Sequence, residues 1–431
     1  MYYTQNDKIK QVKNSTLVVG VDIAKNKHAA RAFNYRGIEY DKAIFFLNTE
    51  EGFKKFLHWI KKISEKENKT DVIVGMEPTG HYWLPLEEYL RTKTELKVVV
   101  VNPAHVKKSK SLDDNSPTKT DRKDAKVIAK LVIDGRYSVP HLPEKVYADL
   151  RAAMTHRERI NKDLIRITTK VQQWLDKYFP EYKTVFKDWT GKASIAFLKE
   201  VALPSKAATM SAEEIVKVFK KGANRAVGIK RARKLKKAAL KSIGLKEGII
   251  IAQIELKNLI EQYELLSKQM EMLESEVEKL LANIDETEFL LSVKGVGLMT
   301  VAGFIAEVGD IKDYAHPRQI QKLAGLSLME NSSGKHKGQT RITKRGRPKL
   351  RSLLYRVIMP MLANNNEFRQ LHEYYTTRRE NPLKKKQSMI ALACKLIRIF
   401  FALAKKKVKY DGEKMMKDIK RNLDLSMQEA A

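Results

Sequence analysis

Four carboxylates stand where an acid is either costly or well placed to hold a cation. Asp22 closes the apolar run Thr16–Ile23 (TLVVGVDI), and Glu77 follows the apolar run Asp71–Met76 (DVIVGM). A carboxylate at the end of a buried strand needs a partner, because desolvating an unpaired charge is expensive. Asp121 and Asp124 lie three apart in KTDRKDAK, where helical spacing begins, so they share one helix face. Each has a plainer reading alone. Asp22 suits a strand-end turn, Glu77 a nearby lysine, Asp121 an N-cap, and Asp124 the positive end of a helix dipole. Gathered in one pocket, the four would make a hard oxygen site for one or two Mg2+ ions. That ion takes a few carboxylates and completes its shell with water and phosphate oxygens. Two such ions clamp a phosphodiester in line, activating the attacking oxygen and stabilising the leaving one.

A second constellation lies far downstream. Asn331-Ser332-Ser333-Gly334 is followed by KHKGQTRITKRGRPKLR, which holds Lys335, Lys337, Arg341, Lys344, Arg345, Arg347, Lys349 and Arg351 and no acid. Such a segment binds phosphates, and its glycines permit close backbone approach. A serine hydroxyl beside a phosphate becomes a nucleophile once a base or metal takes its proton, although most Ser-Gly pairs are simple turns. Gly295-Val296-Gly297 offers backbone N–H groups to a DNA phosphate, or else a tight helix–helix turn. Lys230–Lys241 (KRARKLKKAALK) contributes Lys230, Arg231, Arg233 and Lys234 as further nucleic-acid contacts. His81, Tyr82 and Trp83 read as packing at a helix start. His105 and His336 lack partners at ligand spacing, and Cys394 reads as a core thiol.

Composition narrows the partner. The chain has 431 residues, and 83 Lys plus Arg against 51 Asp plus Glu give a net charge of +32. That surplus favours a polyanion, since neutralised phosphates release counterions. A single cysteine excludes a disulfide framework and a cysteine-based zinc site. No apolar run reaches the roughly 18 residues a membrane span needs, and Met1–Asn14 is too polar for a signal peptide. The expectation is a soluble cytoplasmic protein associated with the nucleoid, with no membrane partner.

These residues need elements to position them. Strands are expected at 16–23, 28–34, 43–47, 71–76 and 96–101, with helices at 50–65, 82–91 and 122–133 and a polar loop over 107–120. Acids ending the first and fourth strands of such a βββαβαβα order fit an RNase H/RuvC-like α/β domain. From Glu144 to Ile284 the pattern is helical. Leu256, Leu259, Tyr263, Leu266, Met270, Leu273, Val277, Leu280 and Ile284 form a heptad, read as a coiled coil. Its partner is either Tyr147–Tyr178 or a second subunit, with dimerisation favoured. A compact helical region follows. The expected divisions are a tail at 1–14, the α/β domain at 15–143, a helical linker at 144–284, a C-terminal domain at 285–405 and a charged tail at 406–431.

The set of motifs resembles the IS110-family transposases, including the IS1111 group, which are DEDD-type recombinases. The likeness is carried by GVDIAKNKH, GMEPTGHYWLPL, VVNPAHVKKSK, KTDRKDAKVIAKL, VKGVGLMTVAGFIAEVGD, LAGLS and SSGKHKGQTRITKRGRPKLR. It implies a RuvC-like domain with a metal-binding tetrad at Asp22, Glu77, Asp121 and Asp124. It implies a C-terminal transposase domain whose nucleophile maps best onto Ser333, with Ser332 adjacent. It further implies a composite site shared between subunits, a phosphoserine link to DNA, a tetramer on donor and target DNA, and guidance by a noncoding bridge RNA. Lys294 departs from the family's usual proline, and the segment from about 185 to 250 is longer and more basic than the family pattern. The absence of a GxxxxGK[ST] loop agrees with rejoining that needs no ATP. Two rivals remain. A RuvC-like junction endonuclease would use metal-activated water and leave no protein–DNA adduct. A noncatalytic scaffold would bind without metal and never cut.

Overall fold

The computed structural model describes residues 4–78, 80–113, 121–140, 142–223, 228–329, 332–333, 336–337 and 340–416. The side chains of 111–113, 121–122, 332–333 and 336–337 lie outside that description. The chain divides into two compact units, Met1–Leu142 and Pro143–Ala431.

The first unit is built on β1 (Thr16–Asp22), β2 (Lys27–Phe33), β3 (Glu39–Leu47), β4 (Asp71–Met76), β5 (Lys97–Val101) and β6 (Tyr137–Ser138). Its helices are α1 (Gln5–Lys10), α2 (Glu50–Lys66), α3 (Leu84–Lys93), α4 (Pro103–Asp113) and α5 (Asp121–Ile133). The six strands run in the order β3-β2-β1-β4-β5-β6. The first three form an antiparallel meander, β4 and β5 run parallel to β1, and β6 closes the edge antiparallel. This is the RNase H-like order. β1 is apolar from Leu17 to Val21 because helices cover both of its faces. Leu17, Val19 and Val21 pack with Phe53, Phe56 and Ile60 of α2, while Val18 packs with Ile128, Ala129 and Val132 of α5.

Two expectations for this unit are revised. The first half of the expected 107–120 loop is α4, started by Asn102, whose Oδ1 accepts from the Ala104 N–H at 2.9 Å. Residues 114–120 lie outside the described residues. The expected N-terminal tail contains α1, closed by a reciprocal Thr4/Asp7 capping box and docked by the Gln5 Nε2 bond to the Asp134 carbonyl at 2.9 Å.

The second unit is largely helical. Two 34-residue helices, α6 (Lys145–Tyr178) and a later partner, flank a small lobe of α7 (Lys192–Glu200), α8 (Pro204–Thr209), α9 (Ala212–Gly222) and α10 (Ile229–Leu240). That partner is α11 (Ile249–Ala282). Trp174 Nε1 donates to the Ala252 carbonyl at 2.8 Å, and Arg157 lies 2.6 Å from Glu274, so the two run antiparallel. The predicted heptad thus meets Tyr147–Tyr178 within the same chain, the first of the two readings. Leu256, Leu259, Val277 and Ile284 are buried. The lobe has its own core, centred on Tyr182, Phe197, Phe219, Leu235 and Leu256.

Beyond α11 come α12 (Glu286–Leu291), α13 (Leu298–Val308) and α14 (Pro317–Leu323). Four two-residue strands follow, β7 (Leu328–Met329), β8 (Ser332–Ser333), β9 (His336–Lys337) and β10 (Arg341–Ile342). Last are α15 (Pro348–Asn364), α16 (Asn366–Thr377) and α17 (Lys385–Lys406). By length and composition α17 is long and apolar enough to cross a membrane, which corrects the expectation that no segment is. Its Leu392, Ala393, Leu396, Ile397 and Phe400 are fully buried in the main core of this unit. Past α17 the chain stays packed at least to Met415, which is buried, and the Tyr410 N–H donates to Ser292 Oγ at 2.8 Å. The remainder of the expected tail, 417–431, lies outside the described residues.

Candidate active site

In the first unit, three of the four acids sit at one end of the sheet. Val21 pairs with Met76 across the parallel β1–β4 ladder, so Asp22 and Glu77 follow at adjacent strand ends. Helix α5 lies directly on these strands because two glycines make room. A Cβ on Gly20 would stand 2.0 Å from the Ala125 carbonyl oxygen, and one on Gly75 2.5 Å from Val132 Cγ2. Side chains alternate along a strand. Asp22 therefore turns to the same face as Gly20, toward α5, and the same alternation carries Glu77 to the face of Gly75. Asp124 immediately precedes Ala125 in the first turn of α5. Asp121 is the first residue of that helix, and its side chain lies outside the described residues.

Asp22 and Glu77 are half-buried, and Asp124 retains 15% of its side-chain exposure. Lys110 of α4 reaches Asp124, Nζ to Oδ2, at 2.5 Å. Among the described residues no three acidic or imidazole groups are gathered tightly enough to hold an ion. The donor set is nonetheless all hard oxygen, and an ammonium already stands on one of its members. These residues fit a divalent cation.

The turn after Asp22 is held by a residue with no sequence signal of its own. His28 is fully buried, and its Nδ1 accepts from the Ala24 N–H at 3.2 Å. Its Nε2 meets no hydrogen-bond partner among the described residues. Burial lowers the imidazole pKa and outweighs the opposing effect of Asn48. A histidine kept neutral by folding contributes fully above its unfolded pKa of about 6.5, and that contribution is lost as pH falls below it. Urea unfolding at pH 7, 6 and 5 should show wild-type stability falling on the acid side. His28→Phe should fall less over that interval while starting about 1–2 kcal/mol lower at pH 7, its Ala24 N–H having lost an acceptor. Parallel pH profiles for the two proteins would refute this assignment.

In the second unit, Ser332 and Ser333 stand in a paired strand. Ser332 faces Lys337 and Ser333 faces His336 in β8–β9, and Met329 faces Arg341 in β7–β10. Ser333 and His336 form the innermost pair. Around them, several predicted phosphate contacts are engaged within the protein. Arg347 Nη1 lies 3.4 Å from Glu307 Oε2, and Lys349 Nζ lies 2.7 Å from Glu158 Oε2. Arg351 Nη1 donates to the carbonyls of Ala324 and Lys344 at 2.9 and 3.2 Å. Arg341, Lys344 and Arg345 are exposed, whereas Lys335 and the Lys337 side chain lie outside the described residues.

Gly295 adopts φ +92° in the turn before α13, and Gly297 is the N-cap of that helix without a side-chain cap. Asn365 Nδ2 donates to the Lys294 carbonyl at 3.1 Å, holding the turn where the family pattern has proline. On α10, Ala232, Leu235 and Ala239 face the lobe core, leaving Lys230, Arg233, Lys234, Lys237 and Lys241 exposed. Arg231 lies over the Phe186 ring at 5.4 Å, and Lys234 Nζ donates to the Thr184 carbonyl at 2.6 Å. Cys394 packs against the main core, and burial pushes its thiol pKa up.

Residues 19–180 match a transposase family model, that of the IS110-type DEDD transposases, and residues 287–375 match the transposase IS116/IS110/IS902 family. An uncharacterized 44.8 kDa protein of insertion element IS116 from Streptomyces clavuligerus is 23% identical over 290 residues, 67% of this chain and 72% of that protein. The mini-circle putative transposase for IS117 of Streptomyces coelicolor is 25% identical over 346 residues, 77% of this chain and 81% of the relative. The transposase for insertion sequence element IS1111A of Coxiella burnetii is 33% identical over 81 residues, 19% of this chain and 22% of its own length.

Proposed function

We propose that this chain, which belongs to the IS110/IS116/IS1111 family of transposases, cuts and rejoins DNA through a serine nucleophile working with a carboxylate-held metal site. Asp22, Glu77, Asp121 and Asp124 hold one or two Mg2+ ions, which when bound supply positive charge at the reacting phosphate. The Ser333 Oγ attacks phosphorus. An Oγ–P bond forms as the bond from phosphorus to one sugar oxygen breaks, and the proton that the serine gives up ends on that departing oxygen, which leaves as a hydroxyl. Attack by a hydroxyl of the second DNA reverses the exchange and frees the serine. The phosphodiester energy is kept in the link, so no nucleotide is consumed. Tetrad and serine come from different subunits of a homodimer, and two dimers act on donor and target DNA. A noncoding bridge RNA selects both sequences by base pairing, which leaves the protein to grip backbones and 2′-hydroxyls.

One observation carries this reading: Asp22 and Glu77 stand at the ends of adjacent parallel strands, on the sheet face that α5 covers. Two facts stand beside it. The first matched segment contains all four acids and the second contains Ser333. A net charge of +32 also suits an enzyme that handles RNA as well as two DNAs. The test mixes full-length protein, Mg2+, RNA transcribed from the element's flank and two DNAs, and resolves the products on a denaturing gel. A covalent protein–DNA adduct together with recombinant DNA supports the reading. Cleavage without any adduct would favour the RuvC-like hydrolytic nuclease.

The lobe between α6 and α11 should add to the grip. Residues 180–248 hold 17 Lys and Arg against 6 Asp and Glu, a surplus of eleven. Lys230, Lys234 and Lys237 recur along one exposed face of α10. Replacing the three with alanine should flatten the log–log salt dependence of nucleic-acid binding by about two to three units, since each phosphate contact contributes about 0.7–0.9. An unchanged slope removes α10 from the interface.

A further inference from the structure

We propose that Lys110 is a resident counter-cation of the carboxylate site, held on Asp124 until a divalent metal ion displaces it. The inference rests on the reading of Asp22, Glu77, Asp121 and Asp124 as metal ligands. The two partners come from different helices, 14 residues apart, and meet at 2.5 Å with side-chain exposures of 35% for Lys110 and 15% for Asp124. Helix α4 leaves the sheet directly after β5, which pairs in parallel with β4. It therefore begins at the sheet end where Glu77 follows β4. Lys107 and Lys108 of the same helix are exposed, whereas Lys110 is turned inward.

An ammonium on a sheltered carboxylate offsets the mutual repulsion of acids gathered at one sheet end, a repulsion that low local dielectric strengthens. A divalent ion bound to Asp124 and an ammonium on the same carboxylate repel each other. Each therefore weakens the other's hold, and metal affinity contains the cost of detaching Lys110. The sign of the consequence separates this role from its rivals. If Lys110 only ties α4 to α5, removing it leaves metal binding unchanged or weaker. If it only contacts phosphate, metal binding without nucleic acid does not change. Only a displaced competitor makes its own removal tighten the metal.

The experiment titrates full-length protein with Mn2+ by calorimetry, without nucleic acid. Lys110→Gln should bind Mn2+ about five- to tenfold more tightly than wild type, while Lys110→Arg stays within about twofold. The Mg2+ concentration for half-maximal strand cleavage should move the same way. Equal or weaker Mn2+ binding by Lys110→Gln, with its melting temperature unchanged, overturns the counter-cation role. Lys110→Met carries the same comparison should the glutamine variant melt early. An Asp124→Asn arm separates the two levels of inference. If wild type shows no Asp124-dependent Mn2+ binding, the metal-site reading fails and Lys110 falls with it. If that binding is present and Lys110→Gln does not tighten it, Lys110 alone is wrong.

Discussion

Asp22→Asn should abolish strand cleavage, by about a thousandfold or more, while nucleic-acid affinity measured in EDTA stays within about threefold of wild type. The substitution preserves size and removes only the charge that a divalent ion requires. Asp22 and Glu77 stand at the ends of neighbouring parallel strands, and in the proposed site either charge is needed to hold the ion. The losses should therefore not add: Asp22→Asn combined with Asp124→Asn should be no worse than the more damaging single change, because residues acting as a unit fail together. Single-turnover cleavage and filter binding measured on the same preparations check these statements. A variant that cleaves within about tenfold of wild type would remove Asp22 from the site.

Much of the first unit was legible because its strands are covered on both faces. Such strands read as unbroken apolar runs, and Asp71–Met76 has the bounds the residues suggest. The acids were legible for the same reason, since Asp22 interrupts a run that otherwise permits no charge. Helix α4 was missed because Lys107, Lys108, Ser109 and Lys110 read as a polar loop. The usable signal was Asn102-Pro103, an N-cap followed by proline at the first helical position. Between Ser333 and His336, Gly334 reads as backbone room for a phosphate and Lys335 as a phosphate contact. A two-residue connection containing glycine also marks a hairpin, and β8–β9 pairing is what stands on either side.

The heptad on α11 left its partner open, since periodicity does not distinguish a neighbour in the chain from a second copy. The missing clue lay on α6. Ile160, Leu164, Ile167, Val171 and Trp174 repeat at spacings of four and three, and four of the five are buried. The Lys110–Asp124 pair and the His28 bond to the Ala24 N–H were beyond the sequence for a different reason. Each depends on where one element lands on another, and no local pattern records that.

Ser333→Ala should remove the covalent protein–DNA adduct entirely, and with it recombination, while metal and nucleic-acid binding persist. A serine nucleophile has no substitute in its own side-chain position, so the loss should be at least about a thousandfold. Ser332→Ala is the informative neighbour. In a β-ladder, adjacent residues point to opposite faces. Ser332 pairs with Lys337 and Ser333 with His336, so the two serines hold successive register positions of β8. The proposed mechanism gives the phosphate to Ser333 alone, and exchanging the roles of successive strand positions would require a one-residue register slip. Ser332→Ala should accordingly retain adduct formation within about tenfold of wild type. Ser333→Cys should give a slower adduct whose phosphorothiolate link is labile to silver ion, because sulfur replaces oxygen as the atom bonded to phosphorus. Normal adduct yield from Ser333→Ala, with its loss in Ser332→Ala, would move the nucleophile to the other face. Loss in neither variant would leave hydrolysis by the acidic site as the chemistry to be explained.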